Sequence, residues 1–198
     1  MNLFLWGALP YIAFTFLIVG TLVRFFYFER NWTTKSSQFL EKKQLRIANP
    51  LFHFGLLCVI GGHVVGVLIP KTWTAAIGIN DHMYHQGALY MGAVAGLIFI
   101  VGFLLLMKRR FTVAELKVNT SRLDKWLYLF LTLAIFSGMA GTLLNASGFF
   151  DYRVSIGPWF RSLLAFMPDP SLMEGVPFMF KFHMFAWMAV AIIFPFSR

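Results

Sequence analysis

Three histidines lie inside long apolar stretches of the chain, where an imidazole side chain is costly to bury. His53 and His63 both fall within NPLFHFGLLCVIGGHVVG, which spans residues 49–66, and His183 falls within a second apolar stretch near the C-terminus. A polar residue inside a membrane span usually faces the protein interior and marks a functional site. These three side chains are therefore the first candidates for chemistry.

The spacing of the three histidines indicates two sites at different depths. Along a helix, the ten residues between His53 and His63 correspond to about 15 Å and a rotation of about 80°, so one metal cannot bind both rings. His183 lies on a helix of opposite direction, at about the depth of His63, so these two rings can face each other. Two neutral imidazoles suit the axial positions of a haem iron, whereas a lone zinc ion takes three or four ligands. A proton or ion relay and polar packing between helices remain open, although no carboxylate lies deep in these stretches to support a relay.

Glycines surround the outer histidine and recur on the next apolar segment. Gly61, Gly62 and Gly66 flank His63, and a second pair with G-x-x-x-G spacing follows at residues 92 and 96. Such glycines leave room for a flat macrocycle, but they equally permit close packing of two membrane helices.

The composition places these histidines in an integral membrane protein. Of the 198 residues, 59% are hydrophobic and 13% are charged, against about 45–50% and about 25% in ordinary soluble domains. A spanning helix needs about 20 apolar residues, and the first stretch is too long for a cleaved signal peptide. The sequence therefore predicts an all-α membrane protein, a bundle of five transmembrane helices near residues 3–28, 50–70, 83–107, 123–144 and 177–196.

The net charge of +9 reflects membrane topology and not a nucleic-acid partner. Most basic residues follow the first predicted helix or flank the loop between the third and fourth, whereas the other two loops carry only Lys71, Arg153 and Arg161. Basic loops stay in the cytoplasm, which predicts an outer N-terminus and a cytoplasmic C-terminus.

The single cysteine, Cys58, cannot supply the four thiolates of an iron–sulfur cluster.

Local signals predict where several helices begin. Asn49-Pro50 reads as a helix cap followed by proline at the first helical position, and Ser121-x-x-Asp124 has the spacing of a capping box. The apolar residues of SIGPWFRSLLAFMPDP (155–170) predict a short helix in the membrane interface, or a plain connecting loop.

Four motifs together resemble one known family. They are LFHFGLLCVIGGHVVG, the KRR at residues 108–110, DYRVSIGPWFR at 151–161 and FKFHMFAWMAVAIIFPFSR at 180–198. The chain resembles, over essentially its whole length, the gamma subunit of respiratory nitrate reductase, a membrane cytochrome b, in its Gram-positive form. Cytochrome b subunits of other quinone-linked complexes, such as heterodisulfide-reductase-like ones, are a weaker match.

The resemblance implies a plasma-membrane subunit with two b-type haems, which oxidises quinol and does not itself reduce nitrate. His63 and His183 match the ligands of the outer haem, and His53 matches one ligand of the inner haem. The second inner ligand is expected beyond Arg198, so a chain truncated at its C-terminus is expected. Electrons from menaquinol or ubiquinol would pass inward to an iron–sulfur beta subunit and then to a molybdenum-containing alpha subunit, where nitrate becomes nitrite.

Two further sets of residues are predicted from the resemblance and the charge pattern. Some family members have a quinol-binding lysine where this chain reads INDHMYHQGALY (79–90), so His82, Tyr84 or His85 are the candidates here. Histidine can take a quinol proton near neutral pH, although the position of both histidines near the start of the third span favours plain interfacial residues. Arginine pairs well with carboxylates, which makes the inner residues Arg24, Arg109 and Arg110 candidates for binding haem propionates. They are equally explained as charges that set the membrane topology.

Two other classes of protein compete with a cytochrome b subunit. They are a non-redox histidine-dependent transporter and a pure membrane anchor.

Overall fold

The computed structural model describes residues 2–27 and 41–197 and is built from helices. Residue 28 of the first predicted helix and Arg198 lie outside the described residues. The α-helices are α1 (Leu9–Tyr27), α2 (Lys43–His63), α3 (Lys71–Ala76), α4 (Asp81–Thr112), α5 (Ala114–Val118), α6 (Arg122–Leu144), α7 (Ile156–Leu164) and α8 (Phe178–Ile193). π-helical turns at Phe4–Ala8 and Val64–Leu68 extend α1 and α2, and short 3-10 turns occupy Pro170–Met173 and Phe194–Phe196.

Five of these helices are long and apolar enough to cross a membrane, which confirms the predicted number. Within the described part of the chain, the spans are Phe4–Tyr27, Lys43–Leu68, Asp81–Thr112, Arg122–Leu144 and Phe178–Phe196. The all-α architecture is confirmed as well, since residues 2–27 and 41–197 contain no β-strand.

The predicted start of the second span is wrong. Helix α2 begins at Lys43, and Pro50 lies inside it rather than at its first position. The Glu41 carboxylate provides the cap, because its two oxygens accept the backbone N–H groups of Gln44 (2.7 Å) and Leu45 (3.3 Å). Proline within a helix removes one backbone hydrogen bond, and here the helix continues through it.

Two other helix starts follow the expected chemistry. Asn80 caps α4 by accepting the backbone N–H of Met83 at 2.9 Å. Ser121 and Asp124 form the predicted capping box at the start of α6, each side chain accepting the other residue's backbone N–H. Each cap of this kind typically stabilises a helix by about 1 kcal/mol.

Helices α2 and α4 pack closely because glycines at their interface carry no side chain. A Cβ on Gly55 would lie within 3 Å of the backbone of Phe99, and a Cβ on Gly102 would similarly meet the backbone of Phe52. A buried aromatic and aliphatic cluster of Phe99, Phe103 and Ile135 fills the space beside this contact. The tight contact fixes α2, the helix that carries His53 and His63.

Replacing Gly102 with alanine is expected to destabilise the subunit by about 1–3 kcal/mol, because the added methyl group forces α2 and α4 apart. The matched control is Gly87→Ala on the same helix, where a Cβ meets nothing within 4 Å and helix propensity favours alanine by up to about 1 kcal/mol. Thermal unfolding in detergent measures both effects. Equal melting temperatures for the two variants would contradict the close α2–α4 packing.

The predicted short helix in the loop before the last span is present as α7, but one of its faces is buried in protein. Trp159 and Leu163 pack with Trp6 and Met173 in a buried cluster. The Trp159 indole N–H donates to the carbonyl of Trp6 at 2.8 Å. Helix α7 therefore packs against the N-terminal end of the first span, which the sequence pattern did not indicate.

Candidate functional site

The structure brings His63 of α2 and His183 of α8 together. Their ring centroids lie 5.9 Å apart, and the ring planes differ by 26°. The two residues are far apart in sequence, so only the packing of the bundle juxtaposes them. The prediction that these two rings can face each other is confirmed.

Each of these histidines has one ring nitrogen fixed by a backbone carbonyl. The Nδ1 of His63 lies 2.8 Å from the carbonyl of Val59, and the Nδ1 of His183 lies 2.8 Å from the carbonyl of Ala134. The hydroxyl of Ser137 also lies 3.2 Å from Nδ1 of His183. Because a carbonyl only accepts, Nδ1 carries the proton and Nε2 keeps its lone pair. Metal-binding histidines almost always have their other N–H held in this way.

The surroundings of the pair leave space on one side and close it on the other. A Cβ on Gly61 or Gly62 would meet nothing within 4 Å, whereas a Cβ on Gly138 of α6 would lie 2.8 Å from the His183 ring. The π-helical turn Val64–Leu68 begins directly after His63, and such turns are common at functional sites. Gly138 therefore seats the His183 ring against α6, while α2 remains open beside His63.

The pair fits a metal bound between two imidazoles. With metal–nitrogen distances of about 2 Å, such a metal places the two ring centroids roughly 6–7 Å apart, and the observed 5.9 Å lies just below that range. Among residues 2–27 and 41–197, no group of three or more His, Cys, Asp and Glu side chains is arranged to hold a metal ion. The donor set is thus two neutral nitrogens, as in the axial ligation of a haem iron.

His53 lies deeper on α2 and has the same local geometry. Its Nδ1 is 2.9 Å from the carbonyl of Asn49, so its Nε2 also keeps a lone pair. No second histidine among the described residues lies against it, and the predicted partner beyond Arg198 lies outside them. Its role as an inner ligand stays a prediction.

The three predicted quinol-site residues line one cavity at the end of the bundle where α4 begins. This cavity, about 250 Å³ in volume, is bounded by Asp81, His82, Tyr84, His85, Gly148, Phe150, Asp151 and Tyr152. The Nε2 of His85 lies 3.0 Å from the carbonyl of Ala146, so Nε2 carries the proton and Nδ1 is the basic nitrogen. The hydroxyls of Tyr84 and Tyr152 are 3.3 Å apart.

Sequence reasoning missed the side of this cavity formed by the loop after α6. Asp151 and Tyr152 come from that loop, and Lys71 joins it to α4 by ion pairs with Asp81 (2.8 Å) and Asp151 (3.0 Å). Burial raises the pKa of the Tyr152 phenol above its ordinary value, and the hydrogen bond with Tyr84 acts in the same direction. Tyr152 therefore stays protonated at neutral pH. In the sequence, the DYR motif at 151–153 was the only signal that pointed to Asp151 and Tyr152.

The inner arginines already have protein partners. Arg109 is 5% exposed and its Nε donates to the Glu41 carboxylate at 2.9 Å. Arg110 lies 3.7 Å from the carboxylate of Asp124. These pairs hold the start of α2 and of α6 against the end of α4. Their assignment to haem propionates stays a prediction, and the pairs give both arginines a structural role.

Arg24 lies on the wall of a larger cavity at the end of the bundle where α8 ends. This mostly apolar cavity of about 610 Å³ lies between α1 and the Phe194–Phe196 turn. The guanidinium of Arg24 donates to the carbonyls of Pro195 and Ser197. Arg24 thus fastens the end of α8 to α1, and its proposed contact with a propionate stays a prediction.

Five apolar spans with two imidazoles held face to face define a helix-bundle membrane protein. The family model of the nitrate reductase gamma subunit matches residues 2–198, and the chain belongs to that family. It is 46% identical to the nitrate reductase gamma chain of Bacillus subtilis over 195 residues, which covers 98% of this chain and 87% of that one. The respiratory nitrate reductase 1 gamma chain of Escherichia coli is 28% identical over 200 residues, covering 100% and 88%. A nitrate reductase-like protein of Mycobacterium tuberculosis is 38% identical over 196 residues, which make up 98% of this chain but 30% of that larger protein.

Proposed function

We propose that the chain is the dihaem cytochrome b subunit of a membrane-bound respiratory nitrate reductase, oxidising quinol near the outer face. The electrons would leave inward, to the iron–sulfur beta subunit and the molybdenum-containing alpha subunit that reduces nitrate. The observation that carries this proposal is the pair of imidazoles, His63 and His183, with centroids 5.9 Å apart. When bound there, a haem would supply the one-electron redox chemistry.

The roles of the side chains follow from their hydrogen bonds. Carbonyls of Val59 and Ala134 fix the protonated Nδ1 atoms, which presents both Nε2 lone pairs as ligands. His53 presents its Nε2 in the same way at the inner depth. Carbonyl hydrogen bonds of this type also make an imidazole a stronger ligand.

The outer cavity has the chemistry needed for quinol oxidation, which releases two electrons and two protons. Its volume of about 250 Å³ is below the roughly 300–1,000 Å³ of a typical ligand pocket, so it would hold a quinol ring with the tail outside. The basic Nδ1 of His85 can accept one phenolic proton, and His82 or Tyr84 can hydrogen-bond the other oxygen. Protons released here would leave on the outer side of the membrane.

The charge distribution supports this orientation. Many basic residues lie near the ends of α1 and α4 and the start of α6, whereas the loops near the outer cavity contain few. Basic loops stay in the cytoplasm, so the end of the bundle with many basic residues is assigned to the cytoplasmic side. The N-terminus would then lie outside, and the end of α4 would face the soluble subunits.

Anaerobic mixing of the purified subunit with menaquinol or ubiquinol tests the proposed function. A b-type absorption band that is reduced by quinol is expected. A folded subunit that contains haem but is reduced by neither quinol would favour another electron donor, and a subunit without haem would favour a transporter or an anchor.

Replacing His85 with glutamine is expected to slow quinol oxidation about 100-fold, the lower range for loss of a general base. Glutamine can still donate to the Ala146 carbonyl but has no basic nitrogen. The haem content should not change, because His85 does not contact the outer pair. Quinol-driven haem reduction measures the effect, with Tyr90→Phe, an exposed site on the same helix, as the control. An unchanged rate in His85→Gln would remove His85 from the quinol site.

A further inference from the structure

Arg153, in the loop after α6, is a buried cation with an incomplete set of partners. The residue is 4% exposed. Its guanidinium donates to the hydroxyl of Thr74 at 2.5 Å and stacks on the ring of Tyr84, with 3.8 Å from the guanidinium carbon to the ring centroid. Its Nε is buried and has no hydrogen-bond partner within the described ranges.

The carboxylate of the neighbouring residue Asp151 is already used by other groups. One oxygen of Asp151 accepts the backbone N–H of Arg153 at 2.9 Å, and the other accepts Lys71 at 3.0 Å. A buried charge without an opposite charge is strongly unfavourable. Guanidinium groups bind planar carboxylates with two parallel hydrogen bonds, so the side chain is suited to an anionic group that the chain itself does not provide.

The position of Arg153 relates it to the outer histidine pair. Gly66 follows His63 by three residues, about one helical turn, and a Cβ there would lie 3.0 Å from the Tyr84 hydroxyl and 3.1 Å from the Tyr152 ring. The Tyr84–Tyr152 hydroxyl pair therefore lies just outward of His63, and Arg153 stacks on one member of that pair. Two hydroxyl donors and a guanidinium meet at this place.

We propose that Arg153, together with the hydroxyls of Tyr84 and Tyr152, binds the propionate carboxylates of a haem held by His63 and His183. This inference rests on the proposed function. It gives the outer haem a carboxylate partner of its own, a residue first interpreted as a loop charge. The inner arginines, by contrast, pair with Glu41 and Asp124 or with backbone carbonyls.

The test is a redox titration of each haem in the purified native subunit, comparing Arg153→Met with Arg153→Lys. The outer haem is the one lost in His63→Ala. In Arg153→Met its midpoint potential should fall by about 59 mV, a tenfold shift for a one-electron couple, because a nearby positive charge stabilises the reduced state. Arg153→Lys should shift it less, and the inner haem should not change. The matched control is Lys181→Met, which removes an outer cation that donates to the Glu174 carbonyl.

Unchanged potentials and haem content in Arg153→Met would overturn the proposal, as would an equal shift in Lys181→Met. If Arg153→Met does not fold, the same titration is made on Tyr152→Phe. This variant keeps the aromatic packing and removes one hydroxyl donor of the proposed site. A lowered outer potential in Tyr152→Phe supports the site, and an unchanged one overturns it. Absence of haem in the wild-type subunit is a different result, which refutes the proposed function itself.

Discussion

Replacing His183 with alanine is expected to remove one haem and to lower quinol-driven nitrate reduction at least about 100-fold. The His183 ring is fixed by Ala134 and Ser137 and lies 5.9 Å from the ring of His63. Alanine removes one of the two nitrogens and opens the space against Gly138. Haem per subunit and quinol-driven activity in the whole complex measure the loss.

Two controls separate ligation from general damage to α8. Phe178→Ala changes an exposed apolar side chain on the same helix and should keep both haem and activity. Nitrate reduction driven by a small artificial reductant, supplied directly to the soluble subunits, should also survive in His183→Ala. Full haem content and a normal quinol-driven rate in His183→Ala would contradict its role as a ligand.

Replacing His53 with alanine is expected to remove the other haem and to block electron transfer at a later point. His53 lies ten residues before His63 on α2, about 15 Å deeper, and its Nδ1 is fixed by Asn49. In the native complex, quinol should still reduce the remaining haem in the first turnover, while nitrate reduction stops. Rapid mixing with quinol, followed by its optical spectrum, measures this difference.

The neighbouring substitution Phe54→Ala is the control, because Phe54 is exposed and adjacent to His53. It should change neither haem content nor rate. If His53→Ala and His63→Ala remove the same spectral component, the two-site arrangement is wrong.

The outer pair was predictable because depth in a membrane is linear in sequence. Counting residues from Pro70 and Pro177, at the same end of the two apolar stretches, places His63 and His183 at one level, and the structure confirms that their rings face each other. The caps at Asn80 and Ser121 were predictable for a similar reason, since each involves residues within one turn.

The predictions failed or were incomplete where the local structure depends on residues that are distant in sequence. The start of α2 was misplaced because a proline signal was weighted above Glu41, which caps the helix and also pairs with Arg109 of α4. The buried state of Arg153 depends on Thr74 and Tyr84, which are distant in sequence. The local pattern around each residue contains no information about such partners.

The burial of α7 was missed for the same reason. Its apolar residues fit an interfacial helix equally well, and only the contact of Trp159 with Trp6 distinguishes protein burial from membrane contact. In contrast, Phe166 and Met167 beyond its end are exposed, as an interfacial segment requires.

The most direct measurement is the haem content and low-temperature EPR spectrum of the purified native subunit, beside the His63→Ala variant. Bound b-type haem with low-spin ferric signals is predicted, because His63 and His183 supply two strong-field nitrogen ligands. One set of these signals should disappear in His63→Ala. A folded subunit that binds no haem when haem is supplied, or one whose signals survive in His63→Ala, would contradict the assignment of this histidine pair.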